Sequence, residues 1–391
     1  MQFINLTTLF IAAASILSSC QPKGNQNNNS EAERDNTAIL EKNKEARDDS
    51  LKLTEAYALQ AQFSNIVSAD YETTPVKSNL GDDAADDPAI WINKIHPEKS
   101  MIIGTNKKAG LNVYDLQGNE LQFIPIGKMN NADVSYNFAY KGQQVDLLAG
   151  SNRTSQSIDV LLIDGANQKI IEKPLCSIPS SVDDVYGLCM YFDAVANKHY
   201  VFVNGKNGKI EQWLLKNDND SIKGELARSF WVSSQPEGMV VDHVTNTLFV
   251  GVEEDAIYKF KAQAQADTSS IRLTASCNAN NAHISYDIEG LTIYRISDTK
   301  GYLLASIQGN FSYAIFDLSE KNNYITSFII KDGVFDGVEE TDGIDANASL
   351  MGPKFPKGML VVQDGFNKDK KENQNQNFKI ISFERILQFL Q

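Results

Sequence analysis

The chain has 391 residues, a formal net charge of −14 and 42% hydrophobic residues. One hydrophobic core rarely extends beyond about 250–300 residues, so this length predicts two domains or a repeat architecture. The negative charge argues against nucleic acid or an anionic membrane surface as the natural partner. The many Phe, Tyr, Val, Ile and Thr residues, with turn residues throughout, favour an all-β protein.

The N-terminus carries an export signal. The apolar run Leu9–Leu17 is too short to span a bilayer comfortably, and it is followed by Ser18, Ser19 and Cys20. Small residues before a cysteine resemble a bacterial lipoprotein signal, so we expect the signal peptide (residues 1–19) to be removed and Cys20 to be lipidated. That predicts a protein held in the bacterial cell envelope, at the outer membrane and facing the periplasm or the exterior, with its lipid as the one membrane contact. An ordinary cleaved secretory peptide is the alternative.

A tether and then a repeat follow the signal. Residues 20–64 are rich in Asn, Gln, Ser and charge, which predicts a tether that is disordered to partly helical. In the folded domain, expected over residues 65–391, a strand–turn–strand–turn–strand pattern returns every 46 to 53 residues. Such a period, with about four strands per unit, is typical of a propeller blade. The six units therefore predict a six-bladed β-propeller, with a β-sandwich or two separate β domains as the alternative.

Carboxylates stand at the start of the first strand in five of these units. The starts of equivalent strands converge around the channel of a propeller, so we expect a ring of acids there. Ca²⁺ accepts about six to eight oxygen ligands and would relieve the repulsion between them. Solvated acidic turns, such as residues 332–345 taken alone, are the alternative. The expected ring consists of Asp87, Asp133, Glu237, Glu289 and Asp342, with Tyr186 as a neutral oxygen in the remaining unit.

Basic residues follow the second strand in the first three units. They are Lys107, Lys108, Arg153 and Lys206. Lysine and arginine are usual partners of phosphate, and metal ions bridge phosphoryl oxygens, so one side of the ring is expected to bind a phosphorylated substrate. Bound calcium would also reverse the local sign of the charge. Three unrelated solvated turns are the alternative.

Several longer motifs resemble the β-propeller phytases from about Glu72 to the end of the chain. These motifs are Asp82–Trp91, Gly104–Lys108, Ser151–Arg153, Asp287–Tyr294, Gly301–Ser306, Gln308–Asn310, Thr341–Asp345 and Asn375–Ile380. The resemblance implies a six-bladed propeller and a calcium-dependent phosphomonoesterase that acts on phytate, myo-inositol hexakisphosphate, with 3-phytase activity. It also implies several bound calcium ions.

The resemblance implies roles for individual residues. The implied catalytic residues are Asp87, Tyr186, Glu237, Glu289 and Asp342. The implied ligands of catalytic calcium are Glu72, Asp87, Tyr186, Glu237, Glu254, Asp287, Glu289, Gln308 and Asp342. Lys107, Lys108, Arg153, Tyr186 and Lys206 match positions that bind phosphate. Asp336, Asp364 and Asn367 resemble a structural calcium region, where Phe366 replaces an acid that the family often has.

The hypothesis is hydrolysis by direct attack of a calcium-activated water on phytate or calcium-phytate, by a monomeric enzyme. The sequence has neither an Arg-His-Gly motif nor a cysteine followed by arginine at the spacing of a phosphate loop, so covalent phosphatase routes are disfavoured. Two alternatives remain, a calcium-dependent propeller lactonase and a non-catalytic surface-binding propeller.

Overall fold

The computed structural model describes residues 47, 50–218, 221–370 and 372–390. The chain divides into two compact units, Met1–Leu51 and Lys52–Gln391. The predicted signal peptide, Cys20 and most of the predicted tether lie outside the described residues. Within the described ranges, no helix is both long enough and apolar enough to cross a bilayer. The rest of this section concerns the larger unit.

The larger unit is a six-bladed propeller, so the predicted fold is confirmed. Blade 1 consists of β3 (Ala85–Trp91), β4 (Met101–Asn106), β5 (Gly110–Tyr114) and β6 (Glu120–Ile124). Blade 2 consists of β7 (Met129–Tyr140), β8 (Gln143–Asn152), β9 (Ser157–Asp164) and β10 (Lys169–Pro179). Blade 3 consists of β11 (Val185–Asp193), β12 (Lys198–Gly205), β13 (Lys209–Asp218) and β14 (Ser221–Trp231).

The other three blades follow the same antiparallel order with additions. Blade 4 consists of β15 (Pro236–Asp242), β16 (Thr247–Val252), β17 (Ala256–Lys261) and β18 (Ile271–Arg272). Blade 5 consists of β19 (Ile288–Ser297), β20 (Lys300–Ile307), β21 (Ser312–Asp317) and β22 (Tyr324–Ile330). Blade 6 contains β23 (Ile344–Asn347), β24 (Met359–Asp364) and β27 (Asn377–Ser382). A small hairpin, β25 (Lys368–Asp369) and β26 (Glu372–Asn373), projects from blade 6. This unit also contains residues 52–60 of a first helix, α1, and a short helix α2 (Glu384–Leu387).

The N-terminal part of this unit closes the propeller. Strand β2 (Tyr71–Glu72) pairs antiparallel with β27 and becomes the outermost strand of blade 6. Strand β1 (Ile66–Val67) pairs parallel with β22 and extends blade 5. The first strands of neighbouring blades contact one another all the way round, including β23 against β3. Blade 6 therefore obtains its fourth strand from the opposite end of the domain.

Apolar side chains fill the spaces between adjacent blades. The ring of Phe378 on blade 6 is buried beside Tyr114 of blade 1. Burial of such a side chain contributes about 1.5–3 kcal/mol. Gly104 leaves room for it, because a Cβ there would lie 2.3 Å from the ring. Strand β3 is buried along its whole length, as expected for a first strand enclosed on both faces.

Candidate functional site

The first strands share a register shift near their starts, and it decides which side chains form the ring. In blade 1, Ala85 pairs with Asn106 and the next pair is Pro88 with Gly104. In blades 2 to 5 the register shifts at the same place, directly after the first paired residue of the first strand. Such a bulge re-aims the residues inside it. In blades 1 to 5, the residue that immediately follows the first paired residue of the first strand occupies an equivalent position. In blade 6 the equivalent residue lies two positions before Ile344. We call this set the inner ring: Asp86, Asn130, Tyr186, Glu237, Glu289 and Asp342.

A second set of equivalent residues follows the second strand of each blade. Each backbone N–H in this set donates to a carbonyl oxygen shortly before the first strand of its own blade, as Lys107 does to Ala84 at 2.7 Å. We call this set the second ring: Lys107, Arg153, Lys206, Glu253, Gln308 and Gly365. Blades 1 to 3 thus contribute cations, whereas blades 4 and 5 contribute a carboxylate and an amide. This division supports the predicted basic and acidic sides.

Glycines bring the strands close enough for the inner ring to form. A Cβ on Gly187 would lie 1.9 Å from the carbonyl oxygen of Glu237, and one on Gly238 would lie 2.1 Å from that of Glu289. A Cβ on Gly290 would similarly lie 2.6 Å from the backbone nitrogen of Ile344. Neighbouring first strands therefore touch backbone to backbone, which no larger residue permits at these positions.

The acidic side chains of the two rings converge. One carboxylate oxygen from each of Glu237, Glu253 and Glu289 lies within 4.8 Å of the others. Asn130 Nδ2 donates to Glu237 Oε1 at 2.9 Å across the ring. Gln308 Nε2 donates to Asp342 Oδ1 at 2.8 Å, which joins the second ring to the inner ring.

This crowding raises the proton affinity of the acids. Burial, reinforced by the charge of Glu237, raises the pKa of Glu289 well above its usual range. Burial likewise raises the pKa of Asp342 to about 7, although the Lys107 ammonium opposes the rise. Burial and the neighbouring Glu237 carboxylate raise the pKa of Glu253 to about 7. The metal-free site therefore retains protons that isolated carboxylates would lose.

The three basic residues of the second ring each lie beside a member of the inner ring. Lys107 Nζ lies 3.0 Å from Asp342 Oδ2 and 2.7 Å from Asp83 Oδ1. Arg153 binds Asp184 through two nitrogens, at 3.2 and 2.7 Å. Lys206 Nζ lies 4.7 Å from the centre of the Tyr186 ring. All three cations are therefore positioned within reach of an anion bound over the ring.

A cavity of about 470 Å³ opens above these groups. Its lining includes Lys107, Tyr186, Glu253, Glu289, Gln308 and Asp342. A site of this size accepts a small polyanion, and it presents the Lys107 ammonium group beside several carboxylates.

The donor set fits a hard divalent cation. The inner ring and Glu253 offer only oxygen donors on the acidic side, which is what Ca²⁺ prefers. Among the described residues, the buried oxygens Asp86 Oδ2 and Glu289 Oε2 have no hydrogen-bond partner. Buried carboxylate oxygens without a partner are costly, so a cation in this position would satisfy them.

Two predicted members of the ring, Asp87 and Asp133, do not belong to the inner ring and line the channel instead. Asp87 Oδ2 accepts a hydrogen bond from the backbone nitrogen of Ala132 at 3.2 Å, and Asp133 Oδ2 accepts one from Met190 at 2.7 Å. Together with Asp345 they line a narrow space of about 40 Å³ in the channel. Burial raises the pKa of Asp133 to about 7 and that of Asp345 to about 6.

Glu72, Asp336 and Asp364 form a separate cluster around a buried lysine. Lys379 Nζ lies 2.6 Å from Glu72 Oε2 and 3.1 Å from Asp364 Oδ2, and it also donates to Asp336. Asn367 Oδ1 accepts from the same ammonium group at 3.1 Å. Burial alone would lower the pKa of Lys379, but the charges of Asp364 and the other acidic partners outweigh this effect. The pKa is therefore raised, and the lysine is charged. Asp336, Asp364 and Asn367, which resemble a structural calcium region in sequence, thus lie together around Lys379. Glu72 lies with them and not beside Glu237.

The other predicted residues lie at the edge of the site. Asp287 lines the cavity, whereas Glu254 is exposed nearby and raises the pKa of Asp287 after the larger effect of burial. Lys108 is exposed in the turn after β4. The site also contains Asp86, Asn130 and Glu253, which were absent from the predicted site residues. Asp86 and Asn130 enter the ring through strand register, which the sequence pattern does not give, whereas the position after a second strand was an available signal for Glu253.

Comparison with known proteins identifies the family. The family model described as Phytase matches residues 39–391. The chain is 43% identical over 330 residues to the 3-phytase of Bacillus subtilis (strain 168), covering 83% of this chain and 85% of that protein. A chain in the crystal structure of BBS1N in complex with ARL6DN, soaked with lead, aligns with TM-score 0.43 and 10% identity over 75% of this chain and 77% of that chain. The resemblance inferred from the motifs is thus confirmed, and the chain belongs to the Phytase family.

Proposed function

We propose that this protein is a 3-phytase whose inner ring holds calcium at the reaction centre. Phytate hydrolysis is supported by the family and by the 43% identical 3-phytase. The observation that carries the calcium part is the convergence of Glu237, Glu253 and Glu289 in a ring whose other members lie beside Lys107, Arg153 and Lys206. A site for phytate needs positive groups to bind the phosphates and carboxylates to hold calcium, because phytate supplies only anionic groups.

The basic wall binds the substrate. Lys107, Arg153 and Lys206 come from equivalent positions in neighbouring blades, so their positive groups form an arc rather than a point. An arc can hold the phosphate that is cleaved and a neighbouring phosphate of the same inositol ring. Arg153 is preoriented by Asp184, and Lys107 by Asp83 and Asp342, which limits the ordering needed when substrate binds.

The acidic wall supplies the metal ligands. Asp86, Glu237, Glu253, Glu289 and Asp342, with Tyr186 and Gln308 as neutral oxygens, would hold the cations. Bound calcium would offset the repulsion among these acids, polarise phosphoryl oxygens and lower the pKa of a bound water that attacks phosphorus. Glu237 and Glu253 are placed to accept the proton of that water, because an oxygen of each lies within 4.8 Å of the other and of Glu289.

The arrangement favours a phosphatase over the other propeller functions considered. A lactonase acts on an uncharged ester and has no need of three cations around the acidic centre. A binding propeller has no need of a carboxylate cluster whose proton affinities are raised by burial. The two alternatives make different predictions in the assay that follows.

The test is phosphate release from phytate by the full-length protein in detergent, first after chelation and then with Ca²⁺ restored. We expect activity to vanish and return, and we expect Glu237→Gln to prevent its return. Glu225→Gln, an exposed acid on β14, is the matched control and keeps full activity. Lactone hydrolysis without phosphate release would favour the lactonase, and calcium binding without turnover of either substrate would favour the binding propeller.

We also propose that the enzyme works outside the cytoplasm as a monomer held by a lipid on Cys20. The support is the sequence Leu17-Ser18-Ser19-Cys20 after an apolar run. Labelling with a fatty-acid analogue should mark the wild type and leave Cys20→Ser unmarked. A soluble, unlabelled wild type with a cleaved N-terminus would indicate an ordinary secretory signal instead.

A further inference from the structure

Helix α1, residues 52–60, packs on the propeller next to the acidic side of the cavity. Two residues one helical turn apart, Ala56 and Gln60, face the blades and are 3% and 1% exposed. A buried glutamine must find partners for its amide, so its contacts show where the helix is fixed.

Gln60 connects two loops, the one that follows the second-ring residue Gln308 in blade 5 and the one that precedes the inner-ring residue Asp342 in blade 6. Its Nε2 lies 3.4 Å from the carbonyl oxygens of both Phe311 and Val338. Its Oε1 accepts a hydrogen bond from Lys331 Nζ. Phe311 ends the turn that begins at Gln308, and Val338 lies in the acidic loop that leads to Asp342.

Tyr57 makes the same connection one turn earlier. Its ring packs edge-on against Phe311, with 5.3 Å between ring centres. The Glu339 carboxylate lies close enough to its hydroxyl to raise the pKa of Tyr57, after the larger effect of burial. Glu339 is in turn fixed through its backbone, because its N–H donates to Asp364 Oδ1 and its carbonyl accepts from Gly365 at 2.9 Å.

The two loops held by the helix meet in the site itself. Gln308 donates to Asp342 Oδ1 at 2.8 Å, and the Asp342 N–H donates to Gln363 at 2.8 Å. Residues 332–343 contain Gly333, Gly337 and Gly343 among several acids, so this loop gains little rigidity from its own sequence. Repulsion between the acids of the metal-free site favours separation of the loops.

We propose that helix α1 braces the acidic wall, with Gln60 and Tyr57 as positioning residues that hold Gln308 and Asp342 in the geometry that binds calcium. This inference rests on the proposed calcium function. A cation that must gather ligands from separate loops binds more tightly when those loops are already ordered. The segment between the predicted lipid and the propeller therefore acts on the site as well as linking it to the membrane.

The test is calorimetric titration of Ca²⁺ into the chelated full-length protein, alongside the Ca²⁺ concentration for half-maximal phosphate release. Loss of one or two hydrogen bonds predicts an apparent Kd raised about three- to tenfold in Gln60→Ala and less in Tyr57→Phe. Gln62→Ala is the matched control, because Gln62 is exposed and its side-chain amide donates to the carbonyl oxygen of Ala58 within the same segment. Thermal unfolding without calcium separates a loss of stability from a loss of metal affinity.

The outcomes are distinct. Weaker calcium binding in Gln60→Ala and Tyr57→Phe, with Gln62→Ala unchanged, supports the brace. Titrations that coincide with the wild type in both variants overturn it while the calcium proposal stands. If Gln60→Ala does not fold, Tyr57→Phe decides alone, because that residue is 37% exposed and keeps its ring contact with Phe311. A wild type that binds no calcium overturns the proposed function together with the brace.

Discussion

Substitution of Glu289 by glutamine should move stability and activity in opposite directions. Glu289 is buried, its Oε2 has no hydrogen-bond partner among the described residues, and one of its oxygens lies within 4.8 Å of oxygens from Glu237 and Glu253. The change removes one charge and keeps the shape of the side chain. The metal-free protein should therefore become more stable, although the calcium-loaded enzyme loses a ligand.

The size of the gain follows from Coulomb's law. Two unit charges at 4.8 Å interact with about 3 kcal/mol at an effective dielectric constant of about 20. Because burial and Glu237 raise the pKa of Glu289, the wild-type carboxyl holds its proton at acidic pH and the gain there is close to zero. The gain grows once pH exceeds about 4.5, where the unfolded chain releases a proton that folded Glu289 keeps, and it rises toward about 1–3 kcal/mol, or several degrees in Tm.

The assay is thermal unfolding of both proteins with a chelator from pH 5 to pH 8, followed by phosphate release with calcium restored. We expect Glu289→Gln to unfold at a higher temperature at pH 8 and to release phosphate at least about 100-fold more slowly. A variant that is less stable at pH 8 without metal, or that keeps wild-type activity, would refute the idea of a repelling metal-binding ring.

Three further perturbations test other parts of the structure. Without metal, the wild type should lose stability as pH rises from about 4 to about 7. The reason is that folded Asp342, with a pKa raised to about 7, keeps a proton that the unfolded chain has released. Denaturant titrations should show this trend, and saturating calcium should abolish it. Lys379→Met should cost about 3–5 kcal/mol of unfolding free energy, since it leaves Asp364 and its neighbours as uncompensated buried charges; an unchanged denaturation midpoint would contradict this. Gly238→Ala should destabilise strongly because its Cβ would meet a backbone oxygen at 2.1 Å, whereas Gly251→Ala, with its nearest atom at 3.5 Å, should be tolerated.

The period of the sequence was enough to predict the blades, because each first strand carries a recognisable apolar run after a turn. Register inside the strands was not predictable in the same way. A one-residue shift moves a side chain to the opposite face, and the bulge after Ala85 places Asp86, not Asp87, at the position equivalent to Glu237. In blade 2 the equivalent residue is Asn130, which a search for acids passes over.

Closure of the propeller also lay beyond local patterns. Among the described residues, the blade sheet of the sixth unit contains three strands from that unit, and its fourth, β2, comes from about three hundred residues earlier in the chain. A two-residue strand has no periodicity to detect. The same holds for Lys379, whose place among three acids depends on pairing between β2 and β27 and not on neighbours in sequence.

The symmetry of the fold explains how one site can contain both signs of charge. Equivalent positions on every blade have the same backbone geometry, so each side chain can differ without disturbing the strand that carries it. At the second ring, blades 1 to 3 have Lys107, Arg153 and Lys206, and blade 4 has Glu253 at the corresponding point. A charge reversal at one of these positions should therefore change substrate and metal affinity far more than stability, whereas changes at the glycines between the strands, such as Gly238, should do the opposite.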